Sequence, residues 1–258
     1  MAQLGIDRRR INGPEDSRPP VFTQDEKVQP TWNVGDPRQG RGPKDIRPIF
    51  LKPGLVTQAN GSAYIETERT KIACAVYGPR QSKNVAYHEK GRLNVEVKFA
   101  PFSCEVRRAP LRDAEDRPLA MAIYQALVPS VRLELLPKST VDVFITVIEA
   151  DGLDACISSG VIAASTALAD AGIEMIGLVT SCSASIVGGD IWLDLTREEA
   201  RHSRGSLVLS CLPALRTVTS VWQTGQMISD EAYKCMDLCQ SRCNDIHVVV
   251  AQALRENV

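Results

Sequence analysis

The amino-acid sequence predicts a mixed α/β chain of the α+β kind, with mostly antiparallel strands packed with helices. Three observations carry that expectation. Short segments that alternate apolar and polar residues at period two fall between residues 62 and 99. A helical pattern follows, with Leu119, Ile123, Leu127, Val131 and Leu135 recurring every four residues. Strands and helices then alternate unevenly to the C-terminus, as in a layered fold built from hairpins.

Each element has a local reason. Ser62–Glu66 and Lys71–Tyr77 flank a polar turn and read as a hairpin. Leu93–Phe99 alternates strictly, so one of its faces is wet or abuts a partner. The helical pattern runs from about Asp116 to Leu136; Pro118 suits its first turn, and Pro129 predicts a kink. Val141–Ile148 is a β-branched strand. Ile157–Ala171 is a helix rich in Ala and Ser, closed by Gly172. Strands are expected at Ile176–Val187, Ile191–Leu193, Leu207–Leu212 and Val218–Trp222. A last helix runs from Ser229, expected as its N-cap, to about Arg255, with Asp230 and Glu231 at its positive end.

Composition narrows the function classes. A net charge of −1 argues against a protein that coats nucleic acid over its whole surface, while leaving local basic patches open. Eight scattered cysteines, no signal-peptide pattern and no apolar run near 18 residues predict an intracellular, reduced, soluble protein with no membrane partner. Cys235, Cys239 and Cys243 fall on one side of the last helix. A zinc site wants thiolates converging from several segments, so these three are expected as small buried hydrophobes. The first stretch differs from the rest: seven of the 15 prolines lie within residues 1–48. Residues 1–45 are therefore expected as an extended or partly disordered tail, and 46–258 as one folded domain. Arg8, Arg9 and Arg10 give that tail a local basic cluster.

The order and spacing of several motifs are specific. Arg47-Pro48, Gly54-Leu55 and Gly61-Ser62-Ala63-Tyr64 come first, then Thr70-Lys71 and Val76-Tyr77-Gly78-Pro79-Arg80. Pro101-Phe102-Ser103, Leu136-Pro137, Asp142-Val143-Phe144 and Ala167–Met175 follow. Over residues 45–255 this chain resembles the RNase PH family of phosphorolytic exoribonucleases, and within it the RNase PH-like subunits of the eukaryotic exosome ring. The resemblance implies an RNase PH-like fold.

It also implies where chemistry should sit. Active members place two carboxylates six residues apart to hold a divalent metal; the aligned positions here are Ala200 and Ser206. Neither side chain supplies a carboxylate oxygen to Mg²⁺, which prefers hard oxygen ligands. Arg204 adds positive charge beside them. Active members also bind the attacking phosphate with a Gly-Thr/Ser-Arg turn that opens the small-residue helix. Those positions are Ala155, Cys156 and Ile157, and no arginine lies from Asp151 to Gly172. Ser158-Ser159-Gly160 remains as a weak anion site at best. Substrate-gripping arginines are partly kept: Arg107, Arg108, Arg112 and Arg117 form a basic loop that could bind single-stranded RNA, balanced in part by Asp113, Glu115 and Asp116.

The resulting expectation is a non-catalytic ring subunit of an RNA exosome, with no catalytic, phosphate-binding or metal-binding residues and no cofactor. The resemblance implies as partners the other RNase PH-like subunits of a hexameric ring, S1/KH cap proteins, a separate hydrolytic exoribonuclease and single-stranded RNA. It implies residence in the nucleus, nucleolus included, and the cytoplasm. The alternative is an active phosphorolytic 3′-to-5′ exoribonuclease using inorganic phosphate and Mg²⁺, kept open by Glu198 and Glu199 in the acidic turn.

Overall fold

Backbone pairing in the first half begins with an antiparallel meander. The structure is a computed structural model that describes residues 32, 34, 36, 38, 40–81, 89–105, 107–108 and 116–256. Strands β1 (Phe50–Pro53), β2 (Gly61–Thr67) and β3 (Thr70–Gln81) pair antiparallel in sequence order. Strand β5 (Ser139–Glu149) adds to β3 antiparallel, and β4 (Arg92–Phe99) closes the far edge against β5. That last pairing is parallel, the exception to the antiparallel rule. Parallel neighbours need a crossover, and helix α1 (Arg117–Leu127), lying between them in sequence, supplies it.

The second sheet has the order β7-β6-β8-β9. It is formed by β6 (Thr180–Val187), β7 (Asp190–Leu193), β8 (Ser203–Leu212) and β9 (Thr217–Gly225), antiparallel throughout. Helix α2 (Leu153–Asp170) packs against β2 and β3 of the first sheet and β6 and β8 of the second. Its small residues are what permit this. At Gly61 of β2, a side-chain Cβ would lie 2.2 Å from the Ala171 nitrogen and 2.4 Å from the Ala167 oxygen. Contrary to the expectation of no apolar run near 18 residues, α2 is long and apolar enough to cross a membrane; here it is the central helix, buried from Ala155 to Leu168 except Ser158. Helix α4 (Ser229–Glu256) lies on the outer side of the second sheet. It buries Cys235, Cys239, Cys243, Ile246 and Val250, so the three cysteines sit on its core face as expected. Every residue of β6 is consequently buried. Its serines stay satisfied: Ser181 Oγ donates to the Leu209 carbonyl at 3.0 Å and accepts from Ser210 Oγ at 3.2 Å.

Several expected boundaries move. The helix expected to Leu136 with a kink at Pro129 ends at Leu127 instead. Proline offers no N–H to the Gln125 carbonyl, and the tertiary structure uses the break to stop the helix. Ser130 Oγ caps the Leu127 carbonyl at 2.8 Å, and Val131 makes an isolated bridge to Met175. Leu133–Leu135 is a separate 3-10 turn with Leu135 exposed. Helix α2 begins four residues before the expected Ile157, and β6 begins at Thr180 rather than Ile176. The last helix starts with Ser229 already inside it; the Ile228 N–H donates to the Glu231 carboxylate at 3.1 Å.

The folded unit that carries both sheets begins at Trp32. Composition placed the tail boundary at 45/46, yet Trp32 is buried against Val187 and Leu195. Arg8–Arg10 lie outside the described residues.

Candidate functional site

Three segments that the sequence singled out meet at one end of the two sheets: the start of α2, the turn after β7, and residues 101–105. The Ala150 N–H donates to the Ser103 carbonyl at 2.9 Å, tying the 101–105 turn to the end of β5. The Arg197 N–H donates to Asp151 Oδ1 at 3.3 Å, tying helix α3 (Arg197–Ala200) to the start of α2.

At the expected phosphate positions, Ala155, Cys156 and Ile157 are all buried. The Cys156 thiol, pushed up to about 12 by burial, stays protonated near neutral pH. Ser158 Oγ donates to the Ser181 carbonyl at 3.1 Å, Ser159 is buried, and Gly160 packs against Ile123. The helix start is thus used for packing. At the expected metal positions, Ala200 is half-buried against the Trp32 cluster. Ser206 Oγ lies 2.6 Å from Thr224 Oγ1. The Ser206 hydroxyl also favours the charged form of the neighbouring Asp154 carboxylate. Burial raises the Asp154 carboxyl above its ordinary value, and the Ser206 bond offsets this only in part. Arg204 is paired with Glu231 of α4.

Asp154 yields a pH prediction. A carboxyl raised in the folded state contributes stability that is complete below its unfolded value and lost as pH rises through the folded one. At neutral pH it therefore costs stability. Asp154→Asn keeps an acceptor for Ser206 and removes the charge. Its unfolding temperature is expected to exceed the parent's at pH 7–8 and to converge on it as the pH falls toward 4; thermal scans over that range check this.

The carboxylates of the acidic turn are arranged differently from a metal site. Thr196 and Glu199 form a capping box: the Glu199 N–H donates to Thr196 Oγ1 at 3.4 Å, and the Thr196 N–H donates to Glu199 Oε2 at 2.9 Å. Arg38 then grips Glu199 through Nε and Nη2, both at 2.8 Å, and donates to the Leu193 carbonyl at 2.9 Å. The Arg38 guanidinium also lies 4.7 Å above the Trp192 ring. Arg41 reaches the Asp194 carbonyl at 2.9 Å and Glu199 at 3.7 Å. Arg47, wholly buried, bridges Asp151 and Asp194, each at 2.5 Å. Burial alone would raise Asp194; its bonds to Arg47 and the charges of Arg47 and Arg41 hold it below the usual carboxylate range. Three arginines and three carboxylates thus lock residues 38–47 onto the second sheet. Among the described residues no three His, Cys, Asp or Glu side chains are grouped to hold a metal ion. The sequence reading missed this lock. The Thr196-x-x-Glu199 pattern was a readable signal for half of it; the arginine partners, about 150 residues away in sequence, were not.

The basic loop is only partly as expected. Arg107 is exposed. Arg108 is half-buried, stacked 3.8 Å from the Phe99 ring centre and 3.5 Å from Asp116. Arg117 is the exposed first residue of α1, and Arg112 lies outside the described residues. Two arginines that the reading did not single out, Arg197 and Arg201, converge on Glu105 at 3.1 and 3.4 Å. His202 stands 5.7 Å from the Trp32 ring and His247 lies in α4; His88 is outside the described residues.

Two sheets around a central helix, with the start of α2, helix α3 and the 101–105 turn tied together at one end, define a class. The chain belongs to the 3′ exoribonuclease family of RNase PH type, whose domain 1 matches residues 45–174. Within that family it is similar to the Mtr3-type exosome component. The exosome complex component mtr3 of Schizosaccharomyces pombe is 37% identical over 252 residues, 96% of this chain and 95% of that protein. The fold is shared with two solved structures. Rrp46 of rice (Oryza sativa) has TM-score 0.72 at 21% identity, over 83% of this chain and 98% of that one. A chain of an Archaeoglobus fulgidus exosome with RNA bound to the active site has TM-score 0.68 at 19% identity, over 80% and 89%.

Proposed function

We propose that this chain is a non-catalytic ring subunit of the RNA exosome, a scaffold and RNA-channel component in 3′-to-5′ RNA processing and decay. One observation carries the non-catalytic part. The acidic-turn carboxylate adjoining Ala200, Glu199, is sequestered by Arg38, Arg41 and its own capping box. Ala200, Ser206 and Ile157 themselves bring no charged ligand to the metal and phosphate positions. Losing both removes the main electrostatic stabilisation available to phosphoryl transfer. The similarity to an exosome component over nearly the whole chain supports the ring role. RNase PH-like subunits of a hexameric ring and single-stranded RNA are its partners, with S1/KH cap proteins on one face and a separate hydrolytic exoribonuclease for cutting. Arg107 and Arg117 offer guanidinium groups to RNA phosphates. Arg108 helps to hold the loop, and Arg112 belongs to the same basic run. Such a complex works in the nucleus, nucleolus included, and the cytoplasm.

The test is release of nucleoside diphosphates from single-stranded RNA by the purified complex, with inorganic phosphate and Mg²⁺. This chain is expected to add none: Asp154→Asn should leave any release by the complex unchanged. Phosphate-dependent release that disappears in the Asp154→Asn complex would establish the phosphorolytic alternative instead.

A further inference from the structure

We propose that Arg197, Arg201 and Arg107 form a phosphate-binding platform for single-stranded RNA where α3 meets the turn that carries Glu105, with Glu105 as its internal competitor. The inference deepens the ring-subunit reading and rests on it.

The geometry begins with α3. Its capping box and Arg38 turn Glu199 inward. Arg197 and Arg201 are four apart and therefore emerge on a common side. Both guanidinium groups meet the same atom, Glu105 Oε2, at 3.1 and 3.4 Å. One carboxylate cannot neutralise two guanidinium groups, so the cluster carries excess positive charge. Arg107, exposed two residues beyond Glu105, adds to it.

These contacts are exchangeable. Side-chain exposure is 38% for Arg197, 51% for Arg201 and 56% for Glu105. Ion pairs that open to water stabilise little. A phosphate diester offers the same planar, two-oxygen face to a guanidinium and can replace a carboxylate. The backbone beneath is firm, since the Arg197 amide is bonded to Asp151 and Ser103 to Ala150. Phe102, 68% exposed and three residues before Glu105 in the same turn, is a ring on which a base can stack. Exposed ring, paired arginines and a displaceable anion together fit a nucleotide chain better than an acidic protein surface.

The test uses the assembled complex containing the full chain, with a labelled oligoadenylate long enough to enter the ring as probe. The double variant Arg197→Ala/Arg201→Ala is expected to weaken binding about tenfold near 0.1 M salt and to flatten log K against log salt by about 1.4. Glu105→Ala should act in the opposite direction and strengthen binding by about twofold to fivefold, because it releases both guanidinium groups. Effects of the same sign in the two variants would mean that the bridges only shape the loop, and would overturn the proposal. So would unchanged affinity in both, or loss of ring assembly in the arginine variant, which would assign this surface to a neighbouring subunit. If the unmodified complex fails to bind the probe at all, the channel role falls first, which separates failure of that reading from failure of this one.

Discussion

Replacing Arg47 with alanine is expected to destabilise the folded chain by about 3–5 kcal/mol, the usual cost of leaving buried charges without their partner. Arg47 has no exposed side-chain surface. It donates to Asp194 through its backbone amide at 2.9 Å and through Nε at 2.8 Å, and its two terminal nitrogens bridge Asp194 and Asp151. Removing it strands two carboxylates between α2 and β7. Thermal unfolding of the purified complex should register a loss of roughly 6–20 °C in this chain's transition. Asp194 sets the pH dependence. Its carboxyl is depressed in the folded state, so its stabilising effect is present above the ordinary value near 3.8 and lost as pH falls through the folded one. The gap between parent and variant should therefore narrow in acid. Adding Asp194→Asn to the variant should recover part of the loss. A change below about 1 kcal/mol at pH 7 would show that the bridge is replaceable by water.

Glu199→Ala is expected to cost about 2–4 kcal/mol and to free residues 38–45 from the second sheet. The substitution leaves Arg38, with 2% side-chain exposure, without its carboxylate, and Arg41, with 11%, with Asp194 alone. It also removes half of the capping box that starts α3. Trypsin should then cleave after Arg38 and Arg41, sites that the parent protects. Glu199→Gln should be milder, since an amide at that position still accepts from the Thr196 amide. A metal ligand would behave otherwise: its loss would spare the fold and abolish a Mg²⁺-dependent activity. Parent-like resistance to trypsin at both arginines in Glu199→Ala would sink the structural assignment.

Much of the fold was legible because its strands obey local rules. The hairpin of β2 and β3, the alternation of β4 and the small-residue character of α2 follow from patterns a few residues long. So did the cysteine stripe of α4, where i, i+4, i+8 spacing puts three small apolar groups on the core face. The helix past Leu127 was misjudged because a periodic pattern continues through Pro129, whereas the choice between kinking and stopping depends on what the freed groups can bond. Here Ser130 and the Val131–Met175 bridge satisfy them outside a helix. The anchoring of the segment before residue 46 was not legible, because proline content says nothing about two arginines and a tryptophan whose partners lie some 150 residues further along the chain.

By itself the sequence determined the family, the layered α+β architecture and the residue types at the three chemical positions, because these depend on identity and spacing along the chain. Ala200, Ser206 and Ile157 can be read without coordinates, and so can the absence of an arginine from 151 to 172. Only the tertiary structure decided what the remaining charges do. Glu199 could have faced a metal or an arginine; Arg38 and Arg41 settle it by closing a loop of about 160 residues. Arg197 and Arg201 were two cations in an acidic turn until the fold set Glu105 between them. Long-range ion pairs leave no periodic trace in a sequence, since a charge finds its partner through the packing of the elements that carry both.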